Sequence, residues 1–177
     1  MDETKLSDDN WTSGNHVVDK FIQEVQLKAK NKTQVLEWIE YDRFGDIEYL
    51  AKGGFGTTFK TIWKDGYISD WNSNNNQWDR SGEENVALKC LHNSQDITTE
   101  FLREVESNIL LSSVDGCIVR CFGITKEPKT NNFMMVMELK EEPKNANIDY
   151  SSNSFETEYS ESIRIDFTKL DINSKGD

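Results

Sequence analysis

The chain is short of the residues that several functional classes require. It has three cysteines, Cys90, Cys117 and Cys121, and an odd number gives no paired disulfide framework. Its two histidines, His16 and His92, add too few ligands to Cys117 and Cys121 for a good metal set. We therefore expect buried, reduced thiols and no metal site.

Basic residues are scarce as well. Lys and Arg number 20 against 32 Asp and Glu, which gives a formal net charge of -12. Nucleic acid and anionic membrane surfaces are bound by proteins with an excess of Lys and Arg. We therefore expect neither of them as a partner.

Long apolar runs are also missing. The most apolar stretch, Phe133 to Leu139, is far shorter than the roughly 20 residues of a membrane-spanning helix. The opening residues, Met1 to Lys5, are acidic and have no apolar core of a signal peptide. We expect a cytoplasmic location, with the nucleus as an open addition.

A glycine-rich turn stands at the start of the segment that organises the chain, residues 47–139. Gly53, Gly54 and Gly56 lie between two runs that we expect to form strands, at about 46–52 and 57–64. Glycine allows backbone N–H groups to approach a bound anion without interference from a Cβ atom. Alone, such a turn is a weak signal, and its weight comes from the order of the elements that follow.

A lysine and a glutamate follow the turn at informative positions. Lys89 ends an apolar strand at 86–89, and its ammonium is a point charge suited to phosphate oxygens. Ser94 or Asp96 is expected to cap the next helix, where Glu104 borders an apolar stripe. A carboxylate placed there can reach Lys89.

These motifs, in this order, resemble the N-terminal lobe of the eukaryotic protein kinases. In that family a glycine-rich loop covers the ATP phosphates, the V-A-I-K lysine contacts the α and β phosphates, and a helix glutamate pairs with it. The strand at 86–89 reads V-A-L-K and Glu104 matches the helix partner. Residues 41–44, 63–68 and 91–97 look like the greatly expanded tyrosine-kinase-like family of arbuscular mycorrhizal fungi, which most of the chain fits.

The resemblance implies a set of nucleotide-binding residues. Around the adenine pocket it implies a roof and back wall from Leu50, Thr58, Ala87 and Met137, and a hinge at 138–140 that offers its backbone to the base. Ala51 replaces the first glycine of the family pattern and Thr58 replaces a valine. The complete implied set is Leu50, Ala51, Gly53, Gly54, Phe55, Gly56, Thr58, Ala87, Lys89, Glu104, Met137, Glu138 and Lys140.

The expected fold class is α+β, a kinase-like lobe with a five-stranded antiparallel sheet and one long helix. We expect disorder at 1–14, a helical extension at 15–45, the lobe at 46–140 and a mostly disordered acidic tail at 141–177. Apolar residues at helical spacing predict a packing helix from Asn15 to about Lys30.

Two further segments lie inside the expected lobe. Residues 65–85 are rich in Asn, Ser, Asp and Gly, which predicts a long connection, and Trp71 and Trp78 within it favour packing over an exposed contact. Alternation at 117–125 and the apolar run at 133–139 predict a hairpin.

The catalytic parts of the kinase family are missing from the sequence. Neither histidine is followed by Arg-Asp, and Asp-Phe-Gly does not occur. A two-lobed kinase domain needs on the order of 250 residues, more than the 177 of this chain. Residues 142–146 and 162–166 look like the tail that follows the complete domain in the fungal family, and this resemblance implies a small lobe joined directly to a tail, with no large lobe between them. We expect no catalytic residue, no magnesium ligands, weak or absent ATP binding, and no phosphotransfer by the isolated chain.

Three interpretations remain open at this point. The chain is a physically incomplete member of a protein kinase family, or a pseudokinase-like interaction module, or a truncated gene product. Without a large lobe, the apolar residues at 133–139 and the inner face of the Glu104 helix are expected to face water or a partner. Self-association or capture of a full-length relative through that face would follow.

Overall fold

A computed structural model describes residues 11–54, 56–75, 77–111 and 119–139. Over these ranges the chain is an α+β fold whose core is mostly sheet. Disorder was expected at 1–14; residues 1–10 lie outside the described residues, whereas 11–14 are described and Thr12 and Ser13 bond to Asp19. The site residues Phe55 and Lys140, Cys117 and the acidic tail at 141–177 also lie outside the described residues.

The described residues form two α-helices and eight strands, together with two short 3-10 turns at Lys32–Gln34 and Tyr41–Arg43. The elements are α1 (His16–Lys28), β1 (Glu37–Trp38), β2 (Phe44–Gly53), β3 (Gly56–Trp63), β4 (Ile68–Asn72), β5 (Gln77–Arg80), β6 (Glu84–Leu91), α2 (Thr99–Leu111), β7 (Cys121–Lys126) and β8 (Phe133–Glu138).

The main sheet has six strands in the order β1-β7-β8-β6-β3-β2. Five of them pair antiparallel, and β1 joins the edge in parallel with β7, where the Ile39 N–H donates to the Ile124 carbonyl at 3.0 Å. The sheet is thus mixed and six-stranded, so the predicted five antiparallel strands are incomplete. The extra strand is a two-residue segment that follows α1 and uses the backbone groups left free at the edge of β7.

Helix α1 confirms the predicted packing helix. Its N-cap is Asn15, whose side-chain oxygen accepts from the backbone N–H groups of Val17 and Val18 at 2.9 and 3.2 Å. Its apolar side, with Phe21 and Ile22 fully buried, belongs to the same core as α2, β7 and β8. A first apolar cluster therefore lies between the helices and one face of the sheet.

This packing corrects one expectation about exposed surface. Phe133, Met135 and Met137 lie in the core shared with α1, and the inner residues Val105 and Ile109 of α2 are buried in it as well. The apolar residues expected to face water are covered because the extension folds onto the sheet and α2.

The opposite face of the sheet carries a second apolar cluster. It is built on Trp63, Leu88, Phe122 and Val136, whose strands are neighbours in the sheet order. Alternation along β6, β7 and β8 separates the two clusters, so each of these three strands contributes to both, whereas β3 contributes to the second cluster alone.

The N-cap of α2 differs from the prediction. Thr98 accepts a hydrogen bond from the Phe101 N–H at 3.2 Å, whereas Ser94 and Asp96 lie further upstream. Ser94 is buried, and its carbonyl accepts from the Phe133 N–H at 2.8 Å. Ser94 is thus engaged with the start of β8.

The connection predicted at 65–85 contains a separate two-stranded hairpin. Strands β4 and β5 pair with Trp71 opposite Trp78, and the two half-buried indole rings meet edge-on at 4.9 Å. The two tryptophans thus pack against each other within a hairpin that was not predicted, and neither belongs to the two apolar clusters of the main sheet.

Two of the three cysteines and both helices can be described. Cys121 is a buried free thiol and Cys90 a half-buried one. Neither described helix has the length and apolar character needed to span a membrane.

Candidate functional site

The glycine-rich turn joins β2 to β3, and its three glycines differ in their surroundings. Gly53 pairs with Gly56 at the end of the hairpin. A Cβ atom on Gly56 would overlap the carbonyl oxygen of Cys90 and lie 3.0 Å from the Leu91 Cα, whereas one on Gly53 or Gly54 would meet open space. Gly56 therefore allows β3 to approach β6, and the other two leave the tip of the turn uncovered.

Lys89 lies beside this turn. Strands β3 and β6 are antiparallel neighbours, Thr58 is directly opposite Lys89, and Lys89 is in turn opposite Met135 of β8. Ala51 is opposite Thr58 on the far side, so Ala51, Thr58 and Lys89 form one cross-strand row. The predicted proximity of the turn and the lysine strand is confirmed.

Glu104 reaches Lys89 as predicted. The Lys89 Nζ donates to the Glu104 Oε1 at 2.9 Å, and the two side chains are 28% and 40% exposed. The buried stripe of α2, including Phe101 and Val105, fixes the rotation of the helix so that Glu104 lies on the side next to β6.

The Lys89–Glu104 pair contributes little to stability, so its main effect is to position the lysine. A partly exposed ion pair contributes about 1 kcal/mol or less to stability, because solvent screens it and two flexible side chains must be ordered. The pair holds a primary ammonium at a fixed, solvent-accessible place beside the turn. Such a group can bind an anion.

A second row of residues runs next to the first. Lys60 is opposite Ala87, and Ala87 is opposite Met137, so these three lie on the same face as Lys89. Ala87 and Met137 are buried, as expected of a pocket wall, whereas Lys60 is exposed. Sequence reasoning missed Lys60, although its position two residues after Thr58 on a strand would have placed it on this face.

Leu50 does not join these rows. The pairing of β2 with β3 shifts by one residue between Tyr49 and Ala51, and Leu50 falls at that shift with 49% of its surface exposed. The described strands therefore do not bring Leu50 over Ala87, as a roof residue would require.

The end of β8 provides the other boundary of the site. The Glu138 N–H donates to the Arg120 carbonyl at 2.8 Å, and its Oε2 accepts from the Arg120 N–H at 3.3 Å. The N–H of Glu138 is therefore already used within the protein. A backbone donor for a base would have to come from further along the predicted hinge, and Lys140 lies outside the described residues.

Beneath the ion pair the interior is apolar. Burial, with a smaller contribution from Glu104, raises the pKa of the Cys121 thiol to about 12 against the opposing effects of Arg120 and Lys89. Cys121 is therefore a protonated core side chain at neutral pH. Within the described ranges, no three His, Cys, Asp or Glu side chains are grouped so that they could hold a metal ion.

Comparison with known proteins adds no assignment: no family model matches the sequence, and no curated protein matches it.

Proposed function

We propose that this chain carries a nucleotide-binding lobe of the protein kinase type, which binds ATP weakly and transfers no phosphate by itself. The observation that carries the proposal is the 2.9 Å contact between the Lys89 Nζ and the Glu104 Oε1, made beside a glycine turn. The lysine would hold phosphate oxygens and the glutamate would hold the lysine.

The chemistry of the surrounding residues fits a nucleotide. Gly53 and Gly54 leave room for phosphates at the tip of the turn, and Lys89 offers an accessible cation one row away. Ala87 and Met137 belong to the buried core next to it, and a purine ring would contact them over the 8% and 9% of their surface that is exposed. When bound, ATP would supply the transferable phosphoryl group, and the chain's own residues would bind and orient it.

Weak binding follows from the open side of this surface. Affinity for a small ligand depends on enclosing most of its surface. Gly53, Gly54 and Lys60 are exposed, so this surface would leave one side of a bound nucleotide in water. The 177 residues contain neither His-Arg-Asp nor Asp-Phe-Gly, which hold the base and the metal ions in kinases. We therefore propose a dissociation constant in the millimolar range and no phosphotransfer. The expected compartment is the cytoplasm, where free thiols stay reduced.

Titration of the purified chain with magnesium ATP tests this proposal. Lys89→Met is expected to abolish the binding, because it removes the cation and keeps the length of the side chain. Glu104→Gln is expected to weaken binding by a smaller factor, about threefold to tenfold, since the lysine loses its charged partner.

Lys64→Met is the matched control. It removes an exposed lysine that directly follows β3, at the end of that strand remote from the glycine turn, and whose Nζ donates to the Asp42 carbonyl. Binding equal to that of the unchanged chain is expected. Micromolar ATP affinity would show that the weak-binding proposal is wrong, and binding unaffected by Lys89→Met would show that the site is misplaced.

A second candidate function is an interaction module, and one observation favours it. Of the four exposed large hydrophobic side chains in the described ranges, Ile47, Tyr49 and Leu50 lie on β2. Strand β2 ends the sheet order, and β3 is its one neighbour there, so one row of its backbone groups is open for pairing among the described residues.

The charges along β2 are complementary to those of a second, antiparallel copy of β2. If two β2 strands pair antiparallel about Tyr49, Asp46 of one copy lies opposite Lys52 of the other, and the pair occurs twice. Register shifts on both sides of Tyr49 shorten the usable ladder. We therefore propose weak, concentration-dependent self-association, with a full-length kinase relative as the competing occupant.

Sedimentation at increasing protein concentration tests self-association. Lys52→Glu is expected to raise the dimer dissociation constant about tenfold, because each copy would place a carboxylate opposite Asp46. Lys64→Glu makes the same charge change off β2 and should leave the constant unchanged. A monomer at every concentration, or equal effects of the two variants, would rule out this interface.

A further inference from the structure

Arg120 connects parts of the chain that are far apart in sequence. It lies directly before β7, and its Nη2 donates to the Lys32 carbonyl at 2.7 Å. Its guanidinium carbon lies 5.1 Å from the ring centre of Tyr67 and 4.8 Å from that of Phe122. The two rings are stacked in parallel at 5.4 Å, so the cation borders both.

The Arg120 side chain is half-buried. Burial lowers the pKa of Arg120, opposed by Tyr67, Glu37 and Glu138 nearby. Its Nε is buried and has no hydrogen-bond partner among the described residues. Because the Nε is buried, a shift of the guanidinium would leave more of its donors without partners, which favours a well-defined position.

The two segments that meet at Arg120 also bind each other. The Lys32 Nζ donates to the Ser69 carbonyl at 2.9 Å, which joins the N-terminal extension to the inserted hairpin β4–β5. Arg80 of β5 pairs with Glu37 of β1, and its Nη1 donates to the Gly66 carbonyl at 2.8 Å. Extension and hairpin thus form one unit against the β7 edge of the sheet.

The backbone of Arg120 connects the extension and the hairpin to Glu138 of the candidate site. Its carbonyl accepts from the Glu138 N–H and its N–H donates to the Glu138 carboxylate, which fixes the last residue of β8. In contrast, the side chain of Lys89 donates its hydrogen bond to Glu104. The two ends share the β6–β8 ladder, and beyond it Lys89 is held by Glu104 and Glu138 by Arg120.

We propose that Arg120 is a positioning residue, which couples the N-terminal extension and the inserted hairpin to the base-binding end of the site through Glu138. The inference rests on the proposed nucleotide binding. A change at Arg120 should then affect recognition of the adenine base and leave recognition of the phosphates unchanged.

Binding of ATP is compared with binding of inorganic tripolyphosphate, which has the phosphates without the base. Arg120→Met is expected to raise the dissociation constant for ATP about fivefold to tenfold, and that for tripolyphosphate less than about twofold. Amide hydrogen exchange over 133–138 in the ligand-free chain is expected to speed up in the same variant. Arg43→Met, which removes an exposed arginine paired with Asp65, should change neither readout.

The outcomes separate this inference from the proposed function. If the unchanged chain binds neither ligand, nucleotide binding fails, and exchange over 133–138 alone decides the role of Arg120. Unchanged exchange there, or equal losses for ATP and tripolyphosphate, overturns the inference. If Arg120→Met does not fold, Tyr67→Leu removes one of the two rings and is expected to give the same split with a smaller change.

Discussion

Replacing Phe21 with alanine is expected to lower the free energy of unfolding by about 3–5 kcal/mol. Phe21 is fully buried in the apolar cluster that α1 shares with α2, β7 and β8. Truncation removes the transfer energy of the ring and leaves a cavity that close-packed neighbours fill only in part. Small domains have a total stability of about 5–15 kcal/mol, so this variant should lose a large part of it.

Chemical denaturation followed by fluorescence measures this loss. Leu27→Ala is the control in the same helix, because Leu27 is 68% exposed and should change stability by no more than about 0.5 kcal/mol. If Phe21→Ala is no worse than Leu27→Ala, then α1 is not part of the core. Two separate unfolding transitions would give the same conclusion.

Gly56→Ala is expected to destabilise the chain by about 1–3 kcal/mol, toward the upper end of that range. The new Cβ atom would overlap the backbone carbonyl of Cys90. A backbone group in a ladder cannot rotate away as a flexible side chain can, so β3 and β6 must separate locally. For a domain of this size the thermal midpoint should fall by several degrees, roughly 3–12 °C.

The control for this variant lies in the same turn. Gly53→Ala places its Cβ in open space and should leave the thermal midpoint within about 2 °C of the unchanged chain. Equal midpoints for Gly53→Ala and Gly56→Ala would contradict the close approach of β3 to β6 described here.

The parts of the fold that the sequence predicted are those with local, periodic signals. Val18, Phe21, Ile22 and Val25 recur at the 3.6-residue period, and they became the buried side of α1. The sequence also predicted the contact between Lys89 and Glu104. It forms because the buried stripe of α2 orients Glu104 toward β6. Their role in binding stays a prediction.

The parts that were missed depend on non-local pairing. Strand β1 is two residues long, so it shows no alternation, and its parallel partner β7 lies far along the chain. The hairpin β4–β5 lies in a segment rich in Asn and Ser, where composition favours a loop over a strand. In each case tertiary contacts supplied what local propensity did not.

The helix cap and the covered lobe face show a third kind of limit. By residue type Ser94, Asp96 and Thr98 can all act as N-caps. In the structure Thr98 caps α2, and the Ser94 carbonyl accepts from the Phe133 N–H at the start of β8. The apolar residues at 133–137 were expected to be uncovered, because the kinase resemblance places a large lobe there. The extension, which the sequence showed only as an amphipathic helix, covers them in this chain.

Mapping amide chemical shifts during titration with magnesium ATP tests the central claim most directly. Shifts are expected at the backbone of Gly53, Gly54 and Thr58, at Lys89 and near Glu138, and they are expected to be lost in Lys89→Met. Shifts spread over other parts of the sheet, or none at ATP concentrations of about 10 mM, would contradict a nucleotide site built on the glycine turn and the Lys89–Glu104 pair.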